Sequence, residues 1–133
     1  MPKRKVSILL VDDNKNFVNR MKNLLTEVDN ISIIHTAFDF DEATLLLNQK
    51  PDLVVLDIQF PGGNGINLLK QIKNSTEESE VIMLSNHASE YYRRQCKALG
   101  ALDFLDKTNE FELLPGMIKD FAVPATRKPN TGP

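Results

Sequence analysis

Five times along this 133-residue chain a short apolar run gives way to an amphipathic stretch, and that alternation constrains the fold more than any other feature. Residues 6–11, 53–56 and 81–84 are apolar almost throughout, while 31–37 and 101–105 are more mixed. Runs this short and rich in β-branched residues read as strands. Three of them lack the polar alternation of a one-sided sheet, which predicts burial on both faces, as in the centre of a parallel sheet.

The stretches between them have helical spacing. Phe17, Val18, Met21, Leu24, Leu25 and Val28 form one stripe. Phe40, Ala43, Leu46 and Leu47 form a second, with Asp39 or Asp41 as N-cap and Pro51-Asp52 as its end. Ile66, Leu69 and Ile72 form a third, entered through Gly62-Gly63-Asn64-Gly65. Tyr92, Cys96 and Leu99 form a fourth, closed by Gly100, with Cys96 as a small buried apolar residue. In the fifth, Asn109-Glu110-Phe111-Glu112 suggests a capping-box variant, and Pro115 predicts a helix restarted with proline near its first position and running to about residue 121. The expected fold class is α/β, an open five-stranded parallel sheet with helices on both faces and right-handed crossovers. One domain is expected over residues 1–121. Residues 122–133, with Pro124, Pro129 and Pro133 and little to bury, are expected to be a disordered tail or linker.

Composition narrows the function classes. With 41% hydrophobic and 26% charged residues the chain has an ordinary globular mix, which excludes wholesale disorder. Sixteen basic against eighteen acidic residues leave a charge of −2, which argues against a generic polyanion binder. One cysteine excludes an intrachain disulfide and any CxxC motif. The basic start Met1-Pro2-Lys3-Arg4-Lys5 has no signal-peptide core behind it, and no apolar run approaches the roughly 18 residues of a membrane span. A reducing, cytoplasmic setting without membrane contact is expected.

In open parallel sheets, ligands bind outside the carboxyl ends of the strands. The first strand ends in Asp12-Asp13, the third in Asp57, the fourth in Ser85 and the fifth in Asp106-Lys107; the second ends in Thr36-Ala37 and offers no strong group. Any single acid after a strand serves equally as a helix cap, and Asp13 or Asn14 suits that role. Three carboxylates in one crevice repel one another, and a hard divalent cation relieves the repulsion. Oxygen ligands with room for water suit Mg²⁺ better than zinc. Cation, carboxylate and hydroxyl together are what stabilise a transferring phosphoryl group. A carboxylate can itself attack phosphorus to form an acyl phosphate, and Asp57 stands between the acidic pair and the Ser85/Lys107 donors.

These residues resemble the receiver domain of two-component response regulators. The match rests on Asp12-Asp13, on Asp57 with Pro61 and Gly65 four and eight residues later, on Ser85-Asn86 and on Lys107, in order over about residues 5–121. The resemblance implies a flavodoxin-like three-layer sandwich with strand order 2-1-3-4-5. It implies that Asp57 accepts phosphate from the phosphohistidine of a sensor histidine kinase or phosphotransfer protein. It implies Mg²⁺ held by Asp13, Asp57 and the Gln59 carbonyl with help from Asp12, and phosphoryl contacts from Lys107 and Ser85. Phe104 takes the aromatic switch position, coupled to Ser85. Gln59 and His87 take the two positions that tune dephosphorylation. Tyr91, Arg93, Arg94 and Phe104 fall near the usual output face, formed by the fourth helix, fifth strand and fifth helix. Thr108 replaces a common proline and puts the family's cis bond in doubt, and Asn86 replaces a small residue.

The expected function is therefore a signalling switch, catalysing only its own phosphorylation and dephosphorylation. Its output is contact with an unknown partner or a homodimer formed on phosphorylation. Direct nucleic-acid binding is not expected, because twelve residues after position 121 cannot build a DNA-binding region. A stand-alone regulator and an excised receiver both fit. Two alternatives are a phosphorylation-independent scaffold on the same fold, and an aspartyl-phosphate hydrolase of the haloacid-dehalogenase type. The hydrolase would need D-x-D where this chain has Asp57-Ile58-Gln59. A flavodoxin-like nucleotide binder would offer hydroxyls and backbone N–H groups in its first loop, where this loop is acidic.

Overall fold

The apolar runs become β1 (Val6–Val11), β2 (Ile31–Ala37), β3 (Leu53–Leu56), β4 (Glu80–Ser85) and β5 (Asp103–Asp106) in a computed structural model that describes residues 5–60, 62–75, 79–86 and 89–121. They form one parallel sheet in the order β2-β1-β3-β4-β5. The helices are α1 (Lys15–Leu25), α2 (Phe40–Leu46), α3 (Gly65–Asn74), α4 (Glu90–Ala98) and α5 (Leu114–Asp120).

Successive strand residues point to opposite faces, and this alternation divides the core in two. Leu9, Val11, Val54, Leu56, Val81 and Met83 pack on one side with Ala43 of α2, Leu68 and Ile72 of α3 and Cys96 of α4. Ile8, Leu10, Leu53, Val55, Ile82 and Leu84 pack on the other with Val18, Met21 and Leu25 of α1 and Leu114 and Ile118 of α5. All four residues of β3 are buried, as expected for a central strand covered by helices on both faces. Truncating such a side chain to alanine typically costs about 2–5 kcal/mol.

The helix ends follow the chemistry of their caps. Asn14, not Asp13, caps α1 by accepting the Phe17 N–H at 3.0 Å. Asp39, not Asp41, caps α2 by accepting the Glu42 N–H at 2.8 Å. Either choice leaves the neighbouring acid available for other contacts. α2 passes into a 3₁₀ turn over Leu47–Gln49 and closes with Lys50 at φ 53°, directly before Pro51. Gly100 closes α4 at φ +103°, a conformation that favours glycine.

Three local expectations are corrected. β5 starts at Asp103 rather than 101, because the Ala101 N–H still bonds back to the Cys96 carbonyl at the end of α4. The capping box expected over Asn109-Glu110-Phe111-Glu112 does not form, since no side chain caps the turn there; the Glu110 carboxylate accepts the Asp106 N–H at 2.8 Å and pairs with Arg93. A short antiparallel ladder, Gln59–Phe60 with Gly63–Asn64, precedes α3 where only a glycine-rich entry was expected. The restart at Pro115 is as expected: a 3₁₀ turn over Phe111–Leu113 leads into α5 with proline in its first turn. Among the described residues no peptide bond is cis, so Lys107–Thr108 is trans. Pro61, His87 and the expected tail at 122–133 lie outside the described residues.

Candidate functional site

Sheet order brings together what the chain separates. β1 and β3 are neighbours with Val11 opposite Leu56, so Asp12 and Asp57 leave the sheet side by side. The Asp57 N–H donates to the Val11 carbonyl at 3.0 Å. β4 ends beside β5 with Ser85 opposite Asp106, and the Lys107 N–H donates to the Ser85 carbonyl at 3.1 Å. Residues from positions 12, 57 and 107 therefore share one rim.

On that rim Asp12, Asp13 and Asp57 each place a carboxylate oxygen within 4.8 Å of the other two. Asp12 is buried; its Oδ1 accepts the Asn14 N–H at 2.9 Å and its Oδ2 pairs with Lys107 Nζ at 2.5 Å. Asp57 is buried as well; its Oδ1 accepts its neighbour Ile58's N–H at 2.6 Å and its Oδ2 accepts from Lys107 Nζ at 3.0 Å. Asp13 is exposed. Lys107 thus bridges the two buried acids with a side chain only 9% exposed.

Burial works against the Lys107 charge, but the hydrogen bond to Asp12 and the charges of Asp57 and Asp12 outweigh it and raise the lysine's pKa. Burial is also the largest influence on Asp12. It raises that carboxyl's pKa against the opposing pull of Lys107 and the Asn14 N–H. The ion pair is strong enough to keep the lysine charged, yet it does not offset the full desolvation of Asp12. One cation also faces three carboxylates.

A cavity of about 430 Å³ opens beside these acids, lined by Asp13, Asp57, Gln59, Phe60, Asn86 and Lys107. Three hard oxygen donors beside a polar cavity with room for several waters suit a divalent cation that keeps part of its hydration shell. The cluster can coordinate a divalent metal. Gly65 holds this region close: its N–H donates to the Ile58 carbonyl at 2.6 Å, and a Cβ on it would overlap the Asp57 carbonyl oxygen.

The remaining expected residues occupy distinct places. Gln59 and Asn86 are exposed, and both line the cavity. Ser85 is fully buried behind the rim. Phe104 is 1% exposed and packs into the core on the α4 side of the sheet. It is held there by Arg93, which donates to the Phe104 carbonyl at 2.9 Å and lies 5.4 Å from its ring centroid. The same guanidinium pairs with Glu110 at 2.8 Å. Tyr91 and Arg94 are exposed on α4.

Two contacts escape sequence reading. Asn14, already expected as a cap of α1, also fixes Asp12 through its N–H, and it is this second contact that the sequence does not signal. Phe17, which reads as one more member of a helical stripe, faces Lys107 with its ring. No motif signals either. They emerge because only three residues separate β1 from α1, whose first turn lies against the rim.

Known proteins are similar to this chain in sequence and in fold. The family model for the response regulator receiver domain matches residues 8–119. The transcriptional regulatory protein CpxR of Escherichia coli (strain K12) is 40% identical over 108 residues, 80% of this chain and 45% of that protein. The chain thus spans about half the length of the curated relatives it matches. The signal receiver domain of a DNA binding response regulator protein (merR) from Colwellia psychrerythraea 34H superposes with a TM-score of 0.80 at 30% identity, covering 86% of this chain and 96% of that one. The receiver domain of the Francisella response regulator 1452 does so with a TM-score of 0.77 at 29% identity, covering 86% and 93%. The flavodoxin-like sandwich is shared in fold with solved receiver domains, and the chain belongs to the response regulator receiver domain family.

Proposed function

We propose that Asp57 is the phosphoacceptor of this domain, that Mg²⁺ is its metal, and that Lys107 and Ser85 are its phosphoryl-contacting residues. The observation that carries this reading is the convergence of Asp12, Asp13 and Asp57 within 4.8 Å, with Lys107 bridging two of them. Family membership implies a sensor histidine kinase as the phosphoryl source. An Asp57 carboxylate oxygen bonds to phosphorus as the phosphorus–nitrogen bond of the donor's phosphohistidine breaks, and the imidazole leaves with that electron pair. The product is an acyl phosphate on Asp57. Bound Mg²⁺ would neutralise charge on the acids and on the phosphoryl oxygens. Asp13, Asp57 and the Gln59 carbonyl would hold it, with Asp12 assisting.

Lys107 is already at hydrogen-bonding distance from Asp57, so a cation is in place for the oxygens of the incoming group. Ser85 lies one residue from the cavity wall at Asn86. Phe104, buried beside Arg93, is the side chain whose reorientation would carry the change to the surface of α4, β5 and α5. That surface is the proposed contact for an output protein or a second copy. Among the described residues no helix is long and apolar enough to cross a membrane.

The test is incubation with acetyl phosphate and Mg²⁺ followed by mass analysis. One phosphoryl group is expected on the wild type and none on Asp57→Asn. Equal uptake by both proteins, or uptake that persists in chelator, would overturn the assignment.

A further inference from the structure

Lys107 has a third partner besides its two carboxylates. Its ammonium lies 4.6 Å from the centroid of the Phe17 ring, within the range of a cation–aromatic contact. Phe17 belongs to the first turn of α1, whose N-cap Asn14 accepts the Phe17 N–H at 3.0 Å. Asn14 in turn donates its own N–H to Asp12. The ring therefore belongs to the same hydrogen-bonded unit as the acids. It is steadied from behind by Phe111, whose centroid is 5.1 Å away at a 50° tilt. Arg20 lies over the Phe111 ring at 5.3 Å.

The two kinds of partner respond differently to a metal. Asp12 and Asp57 are the groups that a divalent cation would engage, and each oxygen it neutralises pulls less on Lys107. An aromatic face carries no net charge and is no ligand for a hard cation, so its attraction for the ammonium does not depend on whether the acids are occupied. We propose that Phe17 is a positioning residue for Lys107, its ring face keeping the ammonium beside Asp57 when the three aspartates engage a divalent cation. This rests on the functional reading above. It assigns to α1 a part in the chemistry beyond packing.

A purely packing role for Phe17 makes different predictions, and fluorination separates the two. Replacing Phe17 by its trifluorinated analogue keeps the ring's shape and drains the negative potential of its face. Phosphoryl uptake from acetyl phosphate at saturating Mg²⁺ is expected to slow by roughly 2- to 30-fold in Phe17→Leu and in the trifluoro-Phe protein. Phe17→Tyr should restore it, and Mg²⁺ affinity should be unchanged throughout. In a Lys107→Ala background, Phe17→Leu should have no further effect on the rate.

The second readout needs no turnover. Ring-current shielding should place the Lys107 side-chain methylene protons upfield of ordinary lysine positions in the metal-free and in the Mg²⁺-loaded wild type, and Phe17→Leu should abolish the displacement in both. Ordinary shifts in the Mg²⁺-loaded wild type, or a trifluoro-Phe protein phosphorylated at the wild-type rate, would overturn the assignment of Phe17. If instead the wild type gains no phosphoryl group at Asp57, the functional reading fails, and the proton shifts still decide whether Phe17 holds Lys107.

Discussion

Asp13→Asn is expected to stabilise the metal-free protein, against the usual destabilising direction of a point substitution. Three carboxylates lie within 4.8 Å of one another and Lys107 bridges only Asp12 and Asp57, so Asp13 feels repulsion without a direct cationic partner in that set. Two unit charges 4.8 Å apart repel by about 3 kcal/mol at an effective dielectric constant of about 20. Asp13 is exposed, and solvent screening reduces this to about 1 kcal/mol. For a domain of this size that corresponds to a rise in Tm of about 3–6 °C. Thermal unfolding followed by circular dichroism in chelator measures it. The gain should shrink in about 1 M salt, where the screening length falls to about 3 Å. Adding Mg²⁺ should reverse the ranking. A metal at about 100 times its Kd stabilises the wild type by about 2.7 kcal/mol, whereas the variant has lost one of its donors. A metal-free Tm equal to or below that of the wild type, or a gain that is the same in high salt, would refute the electrostatic reasoning.

Gly65→Ala should destabilise the domain by about 3 kcal/mol, since the new methyl overlaps the Asp57 carbonyl oxygen and either that loop or the start of α3 must shift. A urea midpoint equal to that of the wild type would contradict it. Glu110 supplies a pH dependence. Its carboxyl is held below the ordinary value of 4.5, chiefly by the Arg93 hydrogen bond and then by the Asp106 N–H. A depressed carboxyl stabilises the fold above its unfolded pKa and loses that contribution as pH falls through its folded value. The stability difference between wild type and Glu110→Gln should therefore be constant above about pH 6 and narrow toward about pH 3. A difference independent of pH would show that the Arg93 pair adds nothing.

The strands and the rim they create were legible because both follow from period and burial. Once β1 and β3 pair with Val11 opposite Leu56, positions 12 and 57 leave the sheet side by side. The α1 stripe was legible for the same reason, since Val18, Met21 and Leu25 are its buried members. The pairing of Glu110 was not legible, because its partner Arg93 stands seventeen residues earlier and meets it only once α4 lies beside β5. Phe17 was read too simply because stripe membership shows that a ring is partly buried, not which cation lies over it.

Why the metal-free site tolerates such a charge density follows from what Lys107 can and cannot do. Its ammonium spans the two acids that are buried and leaves the third to solvent. That is the division that costs least, because desolvating an unpaired carboxylate is expensive whereas an exposed one keeps its water. A divalent ion would then meet Asp13 first, still hydrated and reachable from the open cavity, and must compete with Lys107 only for Asp12 and Asp57. The lysine does not have to leave for this to happen. An ammonium that shares one oxygen of Asp57, with an aromatic ring on another side, can yield a donor to the metal and remain within reach of that carboxylate. The same geometry that makes the empty site bearable therefore leaves a cation standing where phosphoryl charge would arrive.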